Sequence, residues 1–498
     1  MHRPWLRIAV ALIVLAGAAQ AETLRLAVTA MPIQMGNPFR STGVPNVFTM
    51  SAIYDALTNM DADGVPRPWL ATEWQAETPT TWVFRLRPGV AFSNGAPCDA
   101  AAVVASARYL LSPEAAADLV ASDFKNVAAV EARDPLTVVF RLKSPDALFP
   151  RIVTLLNVIE PKAWAALGRE AYAQAPVGTG PFQVTGWSKA GGKLAAVKTS
   201  WRAPKVDGLE ILALPDATSR VQGLLSGRID IAMALGPDDR DIVTGGGHRL
   251  VAYPIGGVMG FAFIATRAGS PVADVRVRRA LNYAVDKQAI VDGLLGGVGA
   301  VSGQPAAHAV FGFDPAVAPY PFDPAKAKAL LAEAGYGQGL SLVAEVVPGT
   351  IAADAQVFAQ VAADLARVGV TLTIRATTFP TFSRHYRQGD WEGDAQGMYY
   401  NADPTLDALR AIKMHRCEWQ PAWYCDPQAS PGIAAALAAP DVDSRRRLTQ
   451  AVMARYHDQA SALFLHELSG YVGVAARVEG FRIAHNFLYL HEMRLRAK

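Results

Sequence analysis

The segment Gly178-Thr179-Gly180-Pro181-Phe182 discriminates between a phosphate cradle and a turn into a sheet. Glycine and proline let this backbone turn sharply, and the residues that follow, Phe182-Gln183-Val184-Thr185, are strand formers. A phosphate cradle needs such a turn to open a helix, usually with a lysine and a hydroxyl residue. Here it opens a strand, so the reading is a turn into a sheet. Gly245-Gly246-Gly247 and the run from Gly293 to Gly299 lack the cradle context as well and read as loops.

Outward from that turn, periodicity predicts alternating strands and helices. Thr23 to Val28, Thr81 to Leu86, Leu136 to Leu142, Phe182 to Trp187, Leu209 to Leu214, Arg228 to Ala232 and Val370 to Arg375 read as strands. Val47 to Leu57, Ala100 to Leu111, Ser219 to Leu225, Phe322 to Tyr336 and Asp354 to Val368 read as helices. Val275 to Leu294 reads as one long helix with Arg276, Arg278 and Arg279 on a solvated face. The pieces between about residues 50 and 170 suggest a small α/β subdomain, and Phe261 to Ala265 a passage into a second lobe.

Composition describes an ordinary globular protein of 498 residues, 51% hydrophobic and 18% charged. A single core stops growing at about 250–300 residues, so two or three lobes are expected. The net charge of +3 does not suggest nucleic acid. Much of the basic excess sits at the start and in a solvated tail, Arg494, Arg496 and Lys498. Arg3 and Arg7, the short apolar run Ile8 to Ala18 and the small-x-small site Ala19-Gln20-Ala21 predict a removable signal peptide, with residues 1–21 lost and a periplasmic mature chain starting near Glu22.

An exported chain with three cysteines has room for one disulfide. Cys417 and Cys425 are paired in this reading because Cys98 is remote in sequence, and Cys98 is expected to be buried and inert. Three free thiols stay open as the alternative, since spacing does not show whether the Cα atoms approach closely enough.

Pro68-Trp69-Leu70-Ala71, the run from Thr81 to Gly95, Gly178 to Phe182, and Asp274-Val275-Arg276-Val277-Arg278-Arg279-Ala280-Leu281 resemble, in this order and spacing, the extracellular solute-binding proteins of the peptide and nickel class (family 5) of ABC transporters. The resemblance covers most of the mature chain. It implies an α/β, two-lobed periplasmic binding protein fold whose first lobe carries an extra subdomain and whose lobes close about a hinge. The implied division is 22–50, 171–260 and 471–498 for the first-lobe core, 51–170 for the extra subdomain, and 261–470 for the second lobe. Gly227-Arg228-Ile229-Asp230 is similar to an element by which the family leads its chain towards the cleft. An ordinary helix-to-strand joint fits the same residues.

The implied function is capture of a small solute, a peptide or peptide-like molecule first, for an inner-membrane permease driven by two cytoplasmic ATPases. The protein would act as a monomer, with no cofactor, no catalysis and no nucleic acid. A non-peptide solute (aromatic, sugar, opine or metal chelate) is the alternative, and a secreted hydrolase the remote one. The family's cleft loop corresponds to Asp394 through Pro404 here. Peptide binders place an extra aspartate before the closing Asp-Pro, because a buried ammonium needs an ionic partner. This chain has Tyr399, Tyr400 and Asn401 instead, leaving Asp403 as the carboxylate that anchors a cation or only initiates a turn. One of the two tyrosines should face the cleft, since neighbours on a strand point to opposite sides. Trp419 and Trp423 would form an aromatic rim, and Asn37 and Phe39 are candidates by position after the first strand.

An enzyme finds little support in the same residues. The nine histidines show no i, i+4 clamp, and no Gly-x-Ser-x-Gly elbow or nucleotide fingerprint occurs. A bare transition metal would want imidazole or thiolate ligands.

Overall fold

The Gly178–Phe182 turn delivers the chain into the strand Phe182–Ser188 at the edge of a ten-stranded sheet. The computed structural model describes residues 22–496, so the expected signal peptide and Lys498 lie outside the described residues. Across the sheet the strands run Val370–Ala376, Leu340–Val346, Ala395–Asn401, Arg249–Phe263, Ala462–Val474, Ile231–Leu235, Thr23–Val28, Gly208–Ala213, Gly191–Ala196 and Phe182–Ser188. A separate four-stranded antiparallel sheet pairs Ala71–Thr78, Thr81–Leu86, Thr137–Leu142 and Val127–Asp134 in that order. Among the described residues no helix is long and apolar enough to cross a membrane.

Three large apolar cores form along the strands Arg249–Phe263 and Ala462–Val474, the third of them taking in Val258, Ala262, Ala462 and Phe464. Tyr253, Tyr471, Val472 and Val474 belong to the first core, which also takes in the small sheet. Met259, Phe261, Leu463 and Leu465 belong to the second. The pairing of these two strands shifts register between Pro254 and Val258. The chain therefore passes between cores at residues 255–257, ahead of the Phe261 expected from sequence.

The two glycines of the opening motif are required by close approach. A Cβ on Gly178 would lie 2.0 Å from the Ile53 carbonyl oxygen, and one on Gly180 would lie 2.5 Å from the Ile53 carbonyl carbon. Between them Thr179 Oγ1 donates to Asp55 at 2.7 Å. Trp69, from the earlier Pro68–Ala71 motif, donates Nε1 to the same carboxylate at 2.7 Å. Two segments more than a hundred residues apart thus meet on one buried side chain.

Several expectations need correction. The helix expected over 275–294 is two helices, Val275–Ala284 and Lys287–Leu294, because Asp286 between them caps the second by accepting from the Ala289 amide. Arg278 is buried, not solvated, and donates to the carbonyls of Val272, Ala273, Gln459 and Ala460. The helix expected from Val47 ends at Ile53, and the strand expected at Arg228 starts at Ile231. Asp230, just before that strand, is buried and pairs with Arg25 and Arg477. Cys417 and Cys425 form a disulfide with Cα atoms 4.5 Å apart. Cys98 is a buried thiol whose pKa burial pushes far up, which suppresses the reactive thiolate.

Candidate functional site

Strand direction marks where the two halves present their loops. In the second half, Leu340–Val346 runs parallel to Val370–Ala376 and to Ala395–Asn401, and the last of these ends opposite Gly257, at the passage between cores. In the first half, Ile231–Leu235 runs parallel to Thr23–Val28 and ends opposite Tyr471, also at the passage. The carboxyl ends of both parallel sets therefore face the same gap, the place where open α/β sheets bind ligands. The halves also touch across it: Arg410 pairs with Asp123, and Arg151 Nη1 donates to the carbonyls of Thr405 and Leu406 at 3.2 and 3.3 Å.

Two cavities lie near this gap, the larger of them at the carboxyl ends of the second-half strands, where Val347 and Thr350 follow Leu340–Val346. The smaller, about 90 Å³, is walled by the first half, including Ser41, Thr42, Asn46, Trp69 and Asn157, and is capped by Pro404 of the second. The larger, about 300 Å³, lies in the second half, where Gly397, Met398 and Tyr399 meet Val347, Thr350, Phe358, Met414 and the helix Phe379–Gln388. That helix contributes Phe379, Phe382, Ser383 and Tyr386. No acidic or basic side chain lines either cavity. Among the described residues no group of three His, Cys, Asp or Glu side chains gathers as metal ligands would.

Asp403 sits beside the cap. Its Oδ2 accepts from Asn486 Nδ2 at 3.1 Å, its Oδ1 is buried without a partner, and its backbone carbonyl accepts from Arg410 Nε at 3.2 Å. Asn486 Oδ1 in turn accepts from the Tyr253 hydroxyl at 3.0 Å. Asp403 and Asn486 thus link the second half to a hairpin of the first. Burial pushes the Asp403 pKa up to about 6, with a backbone hydrogen bond and Arg410 opposing. A carboxyl whose folded pKa is raised contributes stability that is complete below its unfolded value and is lost as pH rises through about 6. Asp403→Asn should flatten this dependence and raise stability at neutral pH by on the order of 1–2 kcal/mol, allowing for solvent screening. Thermal unfolding midpoints of the two proteins across that pH range check it; parallel curves would dissociate Asp403 from the effect.

The expected site residues divide by burial. Tyr399 lines the larger cavity, and its hydroxyl donates to Asp354 at 2.9 Å. Burial first and the Asp354 charge second push that hydroxyl far above its usual range. Tyr400 points the other way and is fully buried against His415 and Phe464. Asn401 is exposed and accepts from the Asp403 amide at 2.8 Å, shaping the turn. Neither Asn37 nor Phe39 faces a cavity: Asn37 accepts from the Phe39 amide at 3.0 Å, and Phe39 is packed on Tyr109 and Trp164. Trp423 is buried and Trp419 half-buried, so they make no rim. Both instead back the ring of Tyr386, at 4.8 and 6.0 Å between centroids.

Sequence reading passed over the Phe379–Gln388 helix. Its signal was present: Phe379, Phe382 and Tyr386 recur at helical spacing on one face. Trp69 was noted as a motif residue, not as a cavity wall. The helix is seated by a buried pair, His385 Nδ1 to Glu345 Oε2 at 2.8 Å, made to the penultimate residue of the strand Leu340–Val346.

Comparison with known proteins identifies the family and the fold. The sequence model described as "Bacterial extracellular solute-binding proteins, family 5 Middle" matches residues 65–413. The chain is similar to the nickel-binding periplasmic protein of Escherichia coli K12, 28% identical over 476 residues, covering 89% of this chain and 88% of that one. It is also similar to the glutathione-binding protein of Salmonella paratyphi A, 28% identical over 440 residues, covering 83% and 82%. Its fold is that of the ABC transporter substrate-binding protein CtaP of Listeria monocytogenes, with TM-score 0.86 at 19% identity, covering 95% of this chain and 99% of that one.

Proposed function

The chain belongs to the bacterial extracellular solute-binding proteins of family 5, and from that premise we propose how it handles its solute. It is the substrate-binding component of an ABC importer, and its family is one of binding proteins. In our reading one solute molecule is enclosed between the two lobes at the passage formed by residues 255–257 and is carried to a membrane permease without being chemically changed. The observation that supports this reading is the convergence of the carboxyl ends of both parallel strand sets on one gap, with the larger cavity at the second-half ends and the smaller one capped by Pro404 of the second half. The lobes would then be those expected from sequence, 22–50, 171–260 and 471–498 with 51–170 as an extra subdomain against 261–470, with the crossing moved from 261 back to residues 255–257. A monomer exported to the periplasm by its leader fits this role.

The relative named for glutathione makes a peptide-like solute the first reading. A second reading, a solute without a free ammonium, is favoured by one observation: neither cavity has a carboxylate in its wall, and a buried ammonium without one is costly. Asp403 remains the residue to substitute if a peptide is found.

Protein purified from its native host without added ligand, then denatured, should release one class of small molecule identifiable by mass spectrometry. Small-angle scattering should show the protein contract when that molecule is restored. Turnover of that molecule by the protein would replace the binding reading with an enzymatic one.

A further inference from the structure

We propose that the 300 Å³ cavity of the second lobe receives a flat, uncharged aromatic group of about bicyclic size carried by the solute. This rests on the reading that solute is held between the lobes. The first argument is volume. A dry apolar cavity of about 150 Å³ suffices for benzene, so this one has room for roughly two fused rings. The second is the wall: Phe358, Phe379, Phe382, Tyr386 and Tyr399 supply ring faces and edges, and Met398 and Met414 supply polarizable, adaptable surface.

The third argument is that the cavity wall carries no charged side chain and that three of its four hydroxyls, all but that of Tyr386, already hold a partner. Thr350 Oγ1 donates to the Val347 carbonyl at 2.9 Å, Ser383 Oγ accepts from Arg387 at 2.6 Å, and the Tyr399 hydroxyl is spent on Asp354. A charged group entering here would lose its water without finding an opposite charge, and its burial would be costly. The occupant is therefore chosen by shape and ring contact.

The wall is also rigidly backed. Tyr386 packs on Trp423, Trp419 and Trp391, and the first two of these lie inside the loop closed by Cys417 and Cys425. Phe379, by contrast, is 68% exposed at the mouth, an apolar ring left facing solvent at the entrance.

The test uses the mature protein, isothermal titration and three probes: 1-naphthylacetamide (ring, uncharged), 1-naphthylmethylammonium (ring, charged) and trialanine (no ring, free ammonium). The expected result is that 1-naphthylacetamide binds at least about tenfold more tightly than either of the others, one tenfold step being 1.4 kcal/mol. Ser383→Phe, which fills the cavity, should weaken it by a similar factor. Phe382→Leu, which keeps bulk but removes a ring, should do so as well and serves if the first variant folds poorly. The inference fails if 1-naphthylacetamide does not bind or if neither variant changes its affinity. It also fails if trialanine binds as tightly and contracts the protein, but that outcome would leave the binding function standing.

Discussion

Asp55→Ala is expected to cost about 3–5 kcal/mol of stability, the range for removing one partner of a buried ion pair. Asp55 and Arg202 are both buried, and Arg202 Nε donates to Oδ1 at 2.7 Å. The carboxylate also accepts from Trp69 Nε1, Thr179 Oγ1 and Trp201 Nε1, so its removal strands three neutral donors as well as a guanidinium. The guanidinium has little to fall back on: Nη2 donates to the carbonyls of Ser51 and Tyr54, while Nη1 is buried without a partner. Burial already lowers the Arg202 pKa, with Asp55 opposing that shift. Urea unfolding of the two proteins measures the loss. A change under about 1 kcal/mol would mean that water replaces the carboxylate at this node. The effect should also reach function, because Trp69, oriented by this carboxylate, walls the smaller cavity.

Asp354→Ala should be nearly as damaging and more local. Its carboxylate, 2% exposed, accepts from the amides of Gly349, Thr350 and Ile351 at 2.8, 2.8 and 3.0 Å and from the Tyr399 hydroxyl. Each hydrogen bond to a charged group contributes about 1.5–3 kcal/mol net. The residue before it, Ala353, has a positive φ of 62°, so this loop keeps its shape against a backbone preference. We expect a loss of at least about 2 kcal/mol in unfolding free energy. Weaker binding at the larger cavity should accompany it, since Thr350 and Tyr399 are part of that wall. Tyr399→Phe removes only one of the four bonds and should cost about 1.5 kcal/mol. Equal losses for the two variants would mean that the loop does not depend on the carboxylate.

How far the site could be read beforehand depended on which side of a strand or helix a residue falls. Alternation placed Tyr399 and Tyr400 on opposite faces but did not say which face met the cavity, because that is set by the strand Leu340–Val346 and the helix Phe379–Gln388 packed beside them. Trp419 and Trp423 looked like a rim because they lie in a short clipped loop. They became a backing layer because Tyr386, distant in sequence, lies across them. In sequence Asp403 reads as a cation anchor or a turn initiator, and its partner Asn486, which arrives from the far end of the chain, could not be read there.

Chemistry of short range wrote the elements into the chain. Aspartate caps, glycines at close approaches, and alternation in the strands name helices, turns and sheet segments without reference to distant residues. The ordered motifs added the family. Only the tertiary structure decided the passage between lobes at residues 255–257, the meeting of Trp69, Thr179 and Arg202 on Asp55, and the two uncharged cavities. The physical reason is that a cavity and a buried ion pair are properties of surfaces brought together from far apart, and no local periodicity encodes which surfaces will meet.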